Sequence, residues 1–302
     1  MHKDSKAQDP VITIESSKAQ RKPFSIFLRG LAMGAIDIVP GISGGTIAFI
    51  TGIYPRLVKS IDQVRVESIN IIKHPTQIIQ SIKKTDYKFL LPLAAGIAIA
   101  IFLMSGLMTY IIETYPANTF AFFAGLILAS AYLMNKSLEK INQKNAAALI
   151  VGIVFAYLIS GLTATTIPST LPIIFISGAI AICAMLLPGI SGAFLLVLFG
   201  QYQTVVSAIH NRTFTIIATF GLGAILGLAI FSKIVNFLLT KHKQITLYTL
   251  TGIMLGALRV PYLEIANNGG FQNPIYLVYF IILGVGIVYG VNLLAYLFSK
   301  KK

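Results

Sequence analysis

Two copies of one short motif carry the residue types that can bind an anion within apolar sequence. The pentapeptide Pro-Gly-Ile-Ser-Gly occupies residues 40–44 and occurs again at residues 188–192. Proline cannot donate a backbone hydrogen bond and glycine tolerates positive φ, so each copy is expected to break a helix. The helix that restarts after the break begins with unpaired amides beside a serine hydroxyl, a combination that holds phosphate or carboxylate. The motif therefore predicts a duplicated anion-binding site.

The predicted site consists of the two breaks and the residues around them. Ser43 and Ser191 stand at the expected N-caps, and the amides that follow them are expected to point, unpaired, into a cavity. We expect the structural breaks at Pro40, Gly41, Pro188 and Gly189. The candidate substrate-binding residues are Arg29, Asp37, Ser43, Gly44, Gly45, Thr46, Ser191, Gly192 and Arg259.

Three of these candidates are ionisable residues that lie within apolar segments. Asp37 precedes the first break by three residues, and the position 148 residues later holds Met185, so the predicted site is chemically one-sided. Three roles are open for Asp37: it carries a proton, pairs with an arginine or caps the backbone break. Coupling of this site to protons or other ions stays open as well. Two roles are open for Arg259: it pairs with a phosphate or an acid, or it anchors its helix at the membrane interface.

The sequence offers little material for catalysis or for a metal centre. It has 10 acidic residues, 4 histidines and 1 cysteine, and the histidines all lie in the tail or between apolar runs. Histidine or metal chemistry at an embedded site needs such side chains within the spans. We therefore predict no catalytic residue, no metal and no cofactor, and Cys183 has no partner for an intramolecular disulfide.

The composition predicts that membrane helices hold these residues. Of the 302 residues, 56% are hydrophobic and 11% are charged, whereas soluble proteins average about 25% charged residues. The net charge of +14 is distributed between apolar runs, which is typical of membrane orientation signals and of attraction to anionic lipid. We predict an integral membrane protein that binds no nucleic acid.

Six apolar runs are close to the roughly 20 residues that a spanning helix needs. They cover residues 89–112, 117–135, 145–162, 214–239, 247–263 and 275–298. The segments that contain the motif, 26–53 and 173–201, are instead divided into arms of about 12 residues, which rise only about 18 Å as helix. Such arms cannot cross alone, so we predict half-helices. Residues 1–23 are polar and basic, and we interpret them as a cytoplasmic tail rather than a signal peptide.

The chain is predicted to be a duplication. An offset of 148 residues pairs Gly30 with Gly178, Gly52 with Gly200 and Tyr54 with Tyr202, and an offset of 127 residues pairs Gly96 with Gly223 and Gly125 with Gly252. The long polar loop 55–88, which we expect to be cytoplasmic, absorbs the difference between the offsets. We expect the first transmembrane repeat over residues 24–162 and the second over residues 163–302.

The distribution of charge predicts how the two repeats are related. If each broken segment is a re-entrant hairpin, the tail, the loop 55–88 and the other basic connectors all fall on one side, as the positive-inside rule requires. A hairpin and three spans make an odd number of crossings, so the second repeat is inverted. The predicted fold class is an all-α integral membrane protein with an inverted-topology repeat. Each repeat has one re-entrant helical hairpin plus three transmembrane helices, and both termini are cytoplasmic.

Two segments of the chain resemble the paired signatures of a known family. Arg29 to Tyr54, reading R-G-L-A-M-G-A-I-D-I-V-P-G-I-S-G-G-T-I-A-F-I-T-G-I-Y, and Gly178 to Tyr202 are similar to those of the bacterial PopT-type undecaprenyl-phosphate translocases. That family often has Ser-Gly-Ser in the second signature, where this chain has Ala193. The resemblance implies a polyprenyl phosphate as partner in the bacterial plasma membrane. It also implies return of that lipid from the outer to the inner leaflet for cell-wall polymer synthesis.

Three other classes of function stay open from the residues alone. An ion channel or small-ion exchanger would use Asp37 as its ion site and the hairpin carbonyls as a filter. A membrane phosphatase acting on the same lipid would normally need a histidine nucleophile or a metal. A structural scaffold would bind no anionic lipid.

Overall fold

A computed structural model provides the fold, and it describes residues 22–37, 43–74, 76, 78–136, 138–162 and 167–300. Within these ranges the regular structure is helical and includes fourteen α-helices. Residues 1–21 of the predicted tail lie outside the described residues. So do Pro40 and Gly41 of the first predicted break.

Each segment that contains the motif consists of a longer helix followed by a short one. The first hairpin is α1 (Pro23–Asp37) with α2 (Gly44–Ile50), and the second hairpin is α8 (Leu171–Leu186) with α9 (Gly192–Leu198). The two short helices have 7 residues each and a serine as N-cap. Each ends close to a glycine with positive φ, 71° at Gly52 and 68° at Gly200. Glycine adopts this conformation without the steric penalty of a Cβ, which terminates both helices at equivalent positions.

Ten further helices connect and surround the hairpins. They are α3 (Tyr54–Lys73), α4 (Ile78–Lys84), α5 (Tyr87–Thr114), α6 (Pro116–Lys136), α7 (Gln143–Ile159), α10 (Tyr202–His210), α11 (Phe214–Lys241), α12 (Lys243–Gly256), α13 (Arg259–Asn267) and α14 (Pro274–Lys300). The predicted span 247–263 is divided between α12 and α13. Pro261 contributes to the division because it has no amide to donate to the carbonyl of Ala257.

Length and composition identify helices that can cross a membrane. Among the described residues, α6 and α11 are each long and apolar enough to span a bilayer. A third span results if α4 and the first part of α5, which meet at 71°, are counted together. Three shorter apolar helices, Gln143–Ile159, Leu171–Leu186 and Pro274–Gly290, accompany them. The chain is therefore a membrane protein whose described regular structure is helical, and the count of six separate spans remains a prediction.

Burial distinguishes helices in the protein interior from helices on the outer surface. Most of α6 is buried, and every residue of α2 except Ile50 is buried. On the outer surface, Phe102, Phe214 and Ile275 are 84%, 75% and 82% exposed. Large apolar side chains on the outside fit lipid rather than water. The first hairpin therefore places α2 in the protein interior, and α9 of the second hairpin is partly buried.

Glycines allow four pairs of helices to approach closely. α1 packs on α5 and α8 packs on α11, while α6 packs on α14 and α7 packs on α12. A Cβ on the glycine at each contact would collide with the backbone of the partner helix, so the close approach depends on its absence. The glycines and the residues whose backbone they meet are Gly30 with Leu93, Gly223 with Phe175, Gly125 with Ile281 and Gly252 with Leu149.

We expect Gly252→Ala to destabilise the protein, because its Cβ would overlap the Leu149 carbonyl and overpacking costs about 1–3 kcal/mol. Thermal unfolding of the purified protein in detergent should show a lower midpoint. Gly286→Ala is the matched control, because no atom of the described residues lies within 4 Å of the added Cβ. Alanine in place of a helical glycine stabilises by about 0.5–1 kcal/mol, so this midpoint should hold or rise. Equal midpoints for the two variants would contradict the close contact of α7 and α12.

Candidate functional site

A carboxylate closes the first break. The Gly44 amide donates a hydrogen bond to Asp37 Oδ1 at 2.6 Å, which joins the end of α1 to the start of α2. A carboxylate at the first amides of a helix gains from a charge-assisted bond and from the local backbone dipoles. Of the three roles that the sequence leaves open for Asp37, this geometry is that of a cap on the backbone break.

Ser43 satisfies two further amides and also reaches the second hairpin. Its Oγ accepts a hydrogen bond from the Gly45 amide at 3.1 Å, and its carbonyl accepts one from the Thr46 amide at 2.9 Å. The same Oγ donates to the Met185 carbonyl at 2.9 Å, near the end of α8. The prediction of unpaired amides at the start of α2 is therefore wrong, because all three amides are hydrogen-bonded within the first hairpin.

A second hydrogen bond joins the hairpins at the other break. The Gly189 amide donates to Thr46 Oγ1 at 3.0 Å. Gly189 has φ +91°, a conformation that glycine adopts without steric cost. A Cβ at this position would also lie 3.0 Å from Met254 Cα of α12. The first hairpin thus supplies a hydroxyl that binds the backbone of the second break.

The backbone amides at the start of α9 differ from those at the start of α2 in their hydrogen bonding. Ser191 Oγ accepts a hydrogen bond from the Phe194 amide at 3.4 Å. Among the described residues, the amides of Gly192 and Ala193 have no hydrogen-bond partner. The two breaks therefore differ in chemistry: the first is closed by its own acid, whereas the second leaves backbone donors available.

A cavity of about 180 Å³, here called the hairpin cavity, lies between the two hairpins and α11. The lining is mostly apolar, and Asp37 and Ser191 provide its polar side chains. The described lining consists of Asp37, Gly178, Ala181, Ile182, Met185, Ser191, Gly192, Ala193, Leu196, Phe220 and Ala224.

The structure does not bring the two predicted arginines to this cavity. Arg29 Nη1 donates to Ser25 Oγ at 2.7 Å and to the Ser25 carbonyl at 3.3 Å, one turn earlier in α1. Arg259 Nη1 donates to the Tyr157 carbonyl at 2.9 Å, and its guanidinium lies 4.3 Å from the centre of the Tyr157 ring. Neither residue belongs to the described cavity lining. The geometry of Arg259 is that of an anchor to α7.

Sequence reasoning missed most of the apolar cavity wall, including Met185, Phe220 and Ala224. Met185 occupies the position 148 residues after Asp37, so the duplication could have identified it as the second wall of the same cavity. Phe220 and Ala224 come from α11 and carry no motif, since their place in the wall depends on the packing of α11 against α8.

We expect Asp37→Ala to lower the stability of the protein, because the Gly44 amide would lose its partner. An unsatisfied buried donor costs about 1–3 kcal/mol. Asp37→Asn is the matched control, since the amide side chain retains an acceptor oxygen. In detergent, the thermal midpoint of Asp37→Ala should fall below those of Asp37→Asn and the wild type. Indistinguishable midpoints for the two variants would refute the capping role.

Comparison with known proteins identifies relatives over most of the chain. The sequence profile of a family described as VCA0040-like, undecaprenyl phosphate translocase-like, matches residues 33–269. A polyprenyl-phosphate transporter of Vibrio cholerae serotype O1 is 42% identical over 257 residues, which cover 83% of this chain and 83% of the relative. A polyprenyl-phosphate transporter of Staphylococcus aureus is 32% identical over 259 residues, which cover 80% of this chain and 87% of the relative. No solved structure matches. The chain therefore belongs to the undecaprenyl phosphate translocase-like family, a family of transporters rather than enzymes.

Proposed function

We propose that this chain transports a polyprenyl phosphate, with undecaprenyl phosphate as the substrate, from the outer to the inner leaflet of the bacterial plasma membrane. Two relatives named polyprenyl-phosphate transporter support polyprenyl phosphate as the class of lipid. The observation that carries the proposal is the hairpin cavity, which brings a broken helix from each half of the chain to one place. Delivery to the inner leaflet returns the carrier lipid to cell-wall polymer synthesis.

We further propose that the two halves, residues 24–162 and 163–302, form an inverted-topology repeat. The equal lengths of α2 and α9, their serine caps and the positive φ of Gly52 and Gly200 support this architecture. The helix contacts support it as well. The pair α1–α5 corresponds to α8–α11, and the pair α6–α14 corresponds to α12–α7 when the halves are exchanged. Equivalent contacts are expected of a pseudo-two-fold arrangement.

In this proposal the two hairpins enter the membrane from opposite sides and meet at its centre. Both termini and the loop 55–88 are then cytoplasmic, in agreement with the positive-inside rule. The two hydrogen bonds between the hairpins, from Ser43 to Met185 and from Gly189 to Thr46, hold them in contact. Alternating access requires one repeat to rock against the other, so these bonds break and re-form during each cycle.

The lipid phosphate occupies the hairpin cavity, where the amides of Gly192 and Ala193 and the hydroxyl of Ser191 donate hydrogen bonds to it. No basic side chain belongs to the described lining, and Asp37 is its one acid. A phosphate and a carboxylate carry like charges, so entry of the headgroup favours protonation of Asp37. Transport is therefore coupled to protons. Arg29 and Arg259, which lie outside the cavity lining, attract the headgroup before it enters or after it leaves.

We expect Ala193→Leu to slow transport about tenfold, an increase of about 1.4 kcal/mol in the barrier, because three added carbon atoms occupy the hairpin cavity. The measurement is leaflet-resolved movement of a labelled polyprenyl phosphate in proteoliposomes, with and without a pH gradient. Ala95→Leu, at an exposed position of α5, is the matched control and should transport at the wild-type rate.

Equal rates for the Ala193 and Ala95 variants, at equal amounts of folded protein, would overturn the assignment of the cavity. Wild-type protein that conducts ions but moves no lipid would overturn the proposed function itself and favour an ion channel or exchanger.

A further inference from the structure

A second cavity, here called the basic pocket, lies where α3, α4 and α5 meet. Its volume is about 540 Å³, three times that of the hairpin cavity. One carboxylate, that of Asp86, lines it together with five basic side chains. The basic residues are Arg56, Lys59, Lys83, Lys84 and Lys88.

The carboxylate of the pocket is already engaged. Arg56 Nε donates to Asp86 Oδ2 at 2.8 Å and Arg56 Nη2 donates to Asp86 Oδ1 at 3.1 Å. The same guanidinium lies 4.5 Å from the centre of the Phe89 ring. The two ions neutralise each other and fix the wall of the pocket. The lysines therefore determine the net charge that a ligand would meet.

A second carboxylate stands beside α4 and holds that helix in place. Hydrogen bonds from Ser81 and Asn70 and the nearby Lys84 ammonium lower the pKa of Glu67, against the opposing effect of burial. Glu67 thus remains ionised and offsets part of the charge of Lys84. The basic side chains of the pocket still outnumber the two carboxylates.

The orientation of α4 places the pocket at the level of lipid headgroups. α4 meets the first part of α5 at 71°, so α4 lies close to the membrane plane if α5 crosses the bilayer. Ile78, Ile79 and Ile82 of this short helix are 44%, 70% and 52% exposed, and the helix ends in two lysines. Exposed isoleucines next to lysines are typical of a helix that lies in the membrane interface.

We propose that the basic pocket binds the phosphate headgroup of a membrane lipid, whose apolar chain extends past the isoleucines of α4 into the adjacent leaflet. The excess positive charge selects a phosphate, and the neighbouring apolar surface selects a lipid over a free ion. The site is separate from the hairpin cavity and does not depend on transport. Both an anionic phospholipid and a polyprenyl phosphate have this chemistry, since each joins a phosphate to long apolar chains.

The test is binding of fluorescent phosphatidylglycerol and fluorescent polyprenyl phosphate to the purified full chain in neutral detergent. We expect Lys83→Gln/Lys84→Gln to weaken binding of at least one lipid roughly tenfold to thirtyfold, because each lysine near an anionic headgroup contributes several-fold in affinity. Lys140→Gln/Lys144→Gln is the matched control, with the same change in charge at exposed positions outside the pocket. Equal thermal midpoints show that both variants are folded.

The two lipids distinguish the sources of the phosphate. Loss of polyprenyl phosphate binding alone assigns the pocket to that lipid, and loss of both assigns it to anionic lipids in general; either result supports the proposal. The proposal would be overturned if the pocket variant and the control variant both bind the lipids with wild-type affinity. It would also be overturned if lipid binding is weakened equally in the two variants. Inorganic phosphate that competes as strongly as the lipids would overturn the role of the apolar chain. Ala193→Leu should bind fluorescent phosphatidylglycerol as the wild type does, so failure here is separable from failure of the transport proposal.

Discussion

The hydrocarbon core of a membrane offers no hydrogen bonds, so a helix that is broken at membrane depth must find partners for its backbone within the protein. In the proposed topology this constraint applies to both hairpins. Asp37 and Ser43 satisfy the start of α2, and the Thr46 hydroxyl satisfies the amide of Gly189. Without these contacts, short helices of 7 residues would be too costly to place in the interior of the fold.

The same contacts make the two breaks unequal. The amides at the start of α2 are bonded within the first hairpin, whereas the Gly189 amide depends on a hydroxyl from that hairpin. At the start of α9, the amides of Gly192 and Ala193 have no partner among the described residues. The position 148 residues after Asp37 is Met185, so the second break has no acid of its own at that position. In the proposed function, this asymmetry lets one cavity both hold an anion and exchange a proton.

Local sequence predicts the parts of this structure that depend on local chemistry. The break at Pro188 and Gly189, the positive φ of Gly189 and the serine caps at Ser43 and Ser191 follow from residue type and spacing. The contact of Asp37 with Gly44 does not, because it depends on how the chain returns between two helices. The anchoring of Arg259 at Tyr157 similarly requires the packing of separate helices.

Side-specific cysteine labelling tests directly whether the two hairpins enter the membrane from opposite sides. In a Cys183→Ala background, single cysteines replace Phe24 and Lys59 beside the first hairpin and Leu171 and Gln203 beside the second, all at exposed positions. A membrane-impermeant thiol reagent should label the first two from the cytoplasmic side and the last two from the outside. Labelling of positions 24 and 59 from opposite sides, or of all four from one side, would contradict the account.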